Sequence, residues 1–151
     1  MEIRRENYGG ETARVLASAL EAELLGRYAG AGGAGGEPPA SDFEPPEGAF
    51  LVGYVDGAAV ACGGVCRFDE LTAEVRRMYV APGARGRGLA RRMLAALEQE
   101  ARGLGYTVVR LETGEQQPEA IGLYSAAGYG RIGRYGPYVD DERSVCFEKR
   151  L

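Results

Sequence analysis

From Glu11 to about Tyr28, apolar residues at Val15, Leu16, Ala19, Leu20, Leu24 and Leu25 recur at helical spacing and predict a helix. Ahead of it, "EIRRE" reads as a short first strand. The stretch "AGAGGAGGEPPASDFEPPEG", residues 29–48, then breaks every regular pattern. Only about 28 residues precede it, too few for a core of their own. Residues 29–48 are therefore read as a flexible loop flanking a site, and residues 1–151 as one domain. "AFLVGYVDGAAVACGGVCRF" predicts a hairpin turning at Asp56-Gly57.

The alternation in "TAEVRRMYV" predicts another strand, with Glu74, Arg76, Met78 and Val80 on one face and Val75, Arg77 and Tyr79 on the other. Pro82 and Gly83 end it. Leu89, Ala90, Met93, Leu94, Leu97 and Ala101 then form a helical stripe, closed by Gly103 and Gly105. "TVVRLET" reads as a central strand, and "QPEAIGLYSAAGY" as a helix with Pro118 in its first turn and Gly128 past its last. "RSVCFEKRL" reads as the final strand. The order β-α-β-β-β-α-β-α-β implies one mixed sheet covered by helices.

Composition narrows the chemistry. The chain has no histidine, which removes Ser-His and Cys-His nucleophilic catalysis and argues against zinc. No metal site is expected. Three cysteines without a CxxC pair argue against a disulfide framework. Cys62 and Cys66 read as small core residues. Acid and base must come from Glu, Asp, Tyr, Cys or solvent. The charged start "MEIRRENYGG" lacks the apolar run of a signal peptide, and no stretch reaches membrane-spanning length, so a cytoplasmic protein is expected. Of the 18 basic residues only Lys149 is a lysine, which points to genome composition. With a net charge of −4, arginine richness does not indicate a nucleic-acid partner.

One segment departs from that acidic average. No acid occurs from Arg76 through Leu97, where six arginines do. At the strand-to-helix junction, "GARGRGLA" removes Cβ atoms at Gly86 and Gly88 and adds the charges of Arg85 and Arg87. A helix N-terminus offers unpaired N–H groups and a positive dipole end, so the junction suits a phosphate or pyrophosphate. It lacks the Lys-Ser/Thr ending of a P-loop, and its glycine spacing is wrong for a dinucleotide fingerprint. A glycine turn beside a solvated arginine face explains the same residues.

"RGRGLA" matches R/Q-x-x-G-x-G/A, and "EAIGLYSAAGY" is similar to N-x-x-A-x-x-L-Y-x-x-x-G-F/Y. Both motifs, in this order on these elements, resemble the GNAT (GCN5-related) N-acetyltransferases from about Gly48 to Leu151. The resemblance implies an α+β three-layer fold, with a mixed, mostly antiparallel sheet of about six to seven strands. It implies a splay between strands 72–80 and 107–112 that receives acetyl-CoA. By motif, Met78, Tyr79, Val80, Arg85, Gly86, Arg87, Gly88, Leu89, Ala90, Gln117, Ala120 and Tyr124 would bind the cofactor. Gln117 stands where the family has asparagine, and Gln is a poorer N-cap. Met78 N–H would polarise the thioester carbonyl.

The implied reaction is direct transfer of acetyl to a primary amine of a small molecule or peptide, without an enzyme-bound acyl group. Tyr124 would protonate the leaving sulfur. Glu74, taken to share the face of Met78, or Glu112 would be the base, and solvent remains open for that role. "RYGPYVDDERSV" resembles a segment of one group of small bacterial members. Its Tyr135, Tyr138, Asp140 and Asp141 either cage a cationic acceptor or cap a turn. A non-catalytic acyl-CoA-binding module is the alternative. Neither a nucleic acid nor a membrane is an expected partner, and a homodimer through a sheet edge stays open.

Overall fold

The computed structural model describes residues 1–28 and 36–151. Seven strands, β1 (Glu2–Arg5), β2 (Ala49–Val55), β3 (Ala58–Arg67), β4 (Thr72–Val80), β5 (Val108–Gly114), β6 (Gly130–Ile132) and β7 (Ser144–Arg150), form one sheet. Their order is β1-β2-β3-β4-β5-β7-β6, and only β4 and β5 run parallel. The helices among the described residues are α1 (Glu11–Arg27), α2 (Leu89–Gly103) and α3 (Pro118–Ala126). This is the mixed, mostly antiparallel three-layer α+β arrangement expected. The short β6 is additional to the elements read from the sequence. None of these helices is long and apolar enough to cross a membrane.

The two faces of the sheet carry separate cores. Leu89, Met93, Leu94, Leu97 and Ala101 of α2 pack on Val65, Val75, Val109 and Leu111, and Tyr124 of α3 joins this core. Ala13, Leu16, Ala17 and Leu20 of α1 pack on Phe50, Val52, Cys62, Cys66 and Tyr79 of the other face. Val15 and Leu25, counted in the helical stripe, are instead exposed. Each fully buried Leu or Met contributes about 1.5–3 kcal/mol, so α2 is held chiefly by its stripe.

The hairpin turns where expected. Asp56 and Gly57 both have positive φ, 50° and 80°, which a two-residue turn of this twist requires. Residues 29–35 of the expected flexible loop lie outside the described residues. From Ala40 onward the segment is packed: Ala40–Phe43 forms a 3-10 turn, and Phe43 sits 4.8 Å from Tyr8 and 5.5 Å from Phe50, ring centre to ring centre.

One expectation fails, with consequences for the site. The β3–β4 register runs from Cys62↔Tyr79 to Gly64↔Arg76, so Arg77 and Met78 together face Gly63. Arg77 has φ 60°, a left-handed conformation. This bulge inserts one residue and flips the alternation beyond it. Met78 therefore packs with Val75 on the α2 face, and Glu74, paired with Cys66, lies on the α1 face. Glu74 and Met78 do not share a face. Gly63 admits the bulge, because a Cβ there would lie 2.7 Å from Leu97 Cδ1 and 3.1 Å from Met78 Cγ. Gly63→Ala is expected to cost about 1–3 kcal/mol of stability by overpacking, measured by urea unfolding.

Candidate active site

Beyond the bulge, β4 and β5 part. Their pairing runs from Thr72↔Val108 to Val75↔Leu111 and stops, though the strands continue to Val80 and Gly114. A cavity of about 520 Å³ occupies the gap. Its walls are the C-terminal half of α1, residues 75–78 of β4, residues 112–114 of β5, one face of α3, and Tyr138, Asp141 and Arg143. On α3, Gln117, Ala120 and Tyr124 line it at helical spacing, as the sequence motif implies.

The two candidate bases separate here. Glu112 lines the cavity, and Glu74 does not. The Glu74 carboxylate accepts the Tyr135 hydroxyl at 2.7 Å and lies 3.9 Å from Arg76 Nε. Glu112 accepts one bond, from Ser144 Oγ at 2.5 Å. Burial pushes the Glu112 carboxyl up to about 7, against the pull of the Ser144 hydroxyl. Tyr124 is buried, and desolvation raises its phenol above the ordinary value, with the Glu112 charge adding to the effect. At neutral pH it keeps its proton. Burial pushes both Cys62 and Cys66 up to about 12, so neither thiol is a nucleophile there.

The glycine turn leads from β4 into α2. Gly86 and Gly88 have φ of 80° and 74°, and nothing lies within 4 Å of a Cβ built at Gly83, Gly86 or Gly88. No side chain caps the helix at Gly88, and its first turn holds no acid. The α2 amides there thus face open space at the positive end of the helix. The two arginines differ. Arg85 folds back, donating from Nε to Val80 O at 2.8 Å and pairing with Glu23 at 2.7 Å. Its charge is already compensated. Arg87 is exposed and has no ion-pair partner among the described residues. Tyr79 packs against α1, away from the cavity.

Of the four residues suggested as a cation cage, only Tyr138 and Asp141 line the cavity. Tyr135 is buried between Phe68 and Tyr138, and Asp140 is exposed and off the cavity. Tyr138 and Asp141 do line it, but Asp141 accepts the Arg143 N–H at 3.0 Å and the Arg143 guanidinium at 3.0 and 3.1 Å. Those bonds hold the Asp141 carboxyl below the usual carboxylate range and make it a turn-capping residue. Asp141 thus caps a turn, one of the two readings of this segment, with Tyr138 beside it on the cavity wall.

Several lining residues escaped the sequence reading. Arg76 and Arg77 were read as plain strand positions. Arg77 pairs with Glu21 at 3.1 Å and Glu37 at 2.7 Å, joining α1 and residue 37 across the opening. Tyr28 lies directly on Gly114, where a Cβ would fall 1.7 Å from its hydroxyl oxygen. Two adjacent arginines interrupting an alternating strand were the one available signal for the bulge.

The Acetyltransferase (GNAT) family matches residues 17–129. An IAA acetyltransferase of Azospirillum brasilense is 41% identical over 107 residues, 70% of each chain. A solved Klebsiella pneumoniae protein assigned as an acyl-CoA N-acyltransferase superimposes with a TM-score of 0.84 at 32% identity, covering 99% of this chain and 97% of that one. A GNAT family acetyltransferase from Elizabethkingia anophelis, solved with acetyl-CoA bound, shares the fold at a TM-score of 0.73 and 15% identity, over 99% and 97% of the chains. With the family matched across most of its length, this chain belongs to the GNAT acetyltransferases, acyltransferases whose cofactor is acetyl-CoA.

Proposed function

We propose that the protein transfers acetyl from acetyl-CoA to a primary amine of a small molecule or peptide, with Glu112 as the base. One observation carries this reading: Glu112 and Tyr124 line the same cavity, in a strand splay that opens beside an uncapped helix terminus. The residues fit an acyl-CoA. The amides of residues 86–90 would hold its diphosphate with Arg87 alongside, while Arg85 braces the turn. The main chain of Met78 and Val80 would pair with the pantetheine arm, beside Gln117 and Ala120. When bound, acetyl-CoA supplies an acetyl thioester.

Glu112 takes the proton of the incoming ammonium. An amine near pKa 10.4 is neutral in only about one molecule in a few thousand at pH 7, so this transfer matters for rate. The nitrogen lone pair then forms the C–N bond, the C–S bond breaks, Tyr124 gives its hydroxyl proton to the sulfur, and the second proton shed by the acylated nitrogen restores the phenol. Glu74, tied to Tyr135, orders the wall behind the site. A module that only bound acyl-CoA would need neither the ionisable group nor the phenol in the gap.

Thiol release from acetyl-CoA with a panel of primary amines tests the reading; no release with any amine would refute it. Tyr124→Phe is expected to lower turnover by roughly 10–100-fold. Calorimetry should show its CoA affinity changed by no more than about threefold, since the ring keeps its apolar contacts. Unchanged turnover would remove Tyr124 from the acid role.

A further inference from the structure

Most of the charges around the cavity are closely paired. Arg77 is engaged by Glu21 and Glu37, and Arg143 is engaged by Asp141. Among the described residues two groups have no charged partner within hydrogen-bond distance: Glu112, which accepts the neutral Ser144 hydroxyl, and Arg76. The Arg76 side chain is only 16% exposed. It donates from Nη2 to Gly36 O at 3.0 Å, and its closest carboxylate oxygen, Glu74 Oε1, stands 3.9 Å from Nε, beyond hydrogen-bond distance, while Tyr135 bonds the other oxygen, Oε2. A desolvated guanidinium with this much donor capacity unspent suits a carboxylate.

Position strengthens the case. The last bridged pair of the parallel strands is Val75↔Leu111, so Arg76 and Glu112 occupy the next step on either side of the splay. Alternation puts both on the face opposite Val75 and Leu111, and both line the cavity. No ion pair joins them among the described residues. Above them Leu20, Leu24 and Leu25 of α1 supply an apolar wall.

We propose that the acceptor is a free α-amino acid with an apolar side chain, its amine directed to Glu112 and its carboxylate held by Arg76. The inference rests on the acetyltransferase reading and narrows it. A zwitterion matches an acid and a base fixed on two neighbouring strands, whereas a plain amine leaves Arg76 with only the distant Glu74 carboxylate and a peptide N-terminus has no carboxylate beside its nitrogen.

The test compares L-phenylalanine with phenethylamine and L-phenylalaninamide, and L-leucine with 3-methylbutylamine, by thiol release. In the unaltered protein kcat/KM for each amino acid should exceed that of its carboxylate-free analogues by roughly 100-fold, because discarding the carboxylate forfeits charge-assisted hydrogen bonds to a largely desolvated guanidinium. Arg76→Gln should raise KM for L-phenylalanine far more than it lowers kcat and bring the ratio to within about threefold; Arg76→Lys, keeping the charge, should recover part of it. Titrating L-phenylalanine into CoA-saturated protein should give heat that Arg76→Gln abolishes. Equal turnover of phenethylamine and L-phenylalanine overturns this inference and leaves the acetyltransferase reading standing, as does a preference that survives Arg76→Gln. CoA heat without thiol release from any of these amines also overturns it. Absence of both CoA heat and thiol release defeats the acetyltransferase reading and this inference with it.

Discussion

Glu112→Gln should lower turnover by about two to three orders of magnitude and abolish the acidic limb of the pH–rate profile. The unaltered protein should show kcat/KM rising with pH through about 7, where burial places the Glu112 carboxyl. A base must be ionised to act, so activity is lost as pH falls below that value. The same burial has a stability consequence of opposite sense. The folded protein binds the Glu112 proton more tightly than the unfolded chain, whose carboxyl titrates near 4.5. Between 4.5 and about 7 the native state therefore holds more protons, and stability falls as pH rises through that window. The penalty is on the order of 3 kcal/mol above pH 7. Glu112→Gln removes it, and its amide oxygen can still accept the Ser144 hydroxyl. The variant should melt higher than the unaltered protein at pH 8 and nearly level with it at pH 4.5. An inactive variant with no gain at pH 8 would mean that the carboxylate is not desolvated in the native state. Full activity would return the role of base to Glu74 or to solvent.

Gly88→Glu should weaken CoA binding by at least about 1,000-fold in calorimetry while circular dichroism and cooperative unfolding persist. Open space surrounds a Cβ at this position, so no packing is broken. The substitution instead places a carboxylate where an anion is to bind, at the mouth of the α2 amides. It also forces a non-glycine residue to φ 74°, a strain of about 1–2 kcal/mol that the fold should tolerate. Gly88→Ala carries the strain without the charge and serves as the control. It should lose far less affinity. Unaltered CoA affinity in Gly88→Glu would dissociate the turn from the diphosphate.

Much was legible along the chain because it depends on neighbours in sequence. The α2 stripe, the Asp56-Gly57 turn, Pro118 opening α3 and the glycines before α2 each act through local geometry, and all are where the residues indicated. Gln117, Ala120 and Tyr124, singled out by the motif resemblance, line the cavity from one face of α3. The faces of β4 were misassigned for a reason remote in sequence. A single inserted residue at Arg77 reverses every inward and outward assignment after it, and the reason for the insertion, an absent Cβ at Gly63, lies on another strand. Arg85 was read as an anion ligand because Glu23, on α1, could not be known to reach it. Asp141 was offered as a cation ligand before its two-residue neighbour Arg143 was seen to occupy it.

Periodicity and turn chemistry thus specified the elements, their order, the anion-ready turn and the pool of candidate acids, since these properties belong to short stretches of chain. Which carboxylate lines the cavity was decided by the folded sheet. Glu74 and Glu112 are chemically alike, and only the ending of strand pairing at Val75 and Leu111, with Tyr135 claiming one acid and desolvation raising the other, makes them different. Burial and cross-strand partners are set by residues distant in sequence, so the reactivity of a carboxyl group is a property of the tertiary structure.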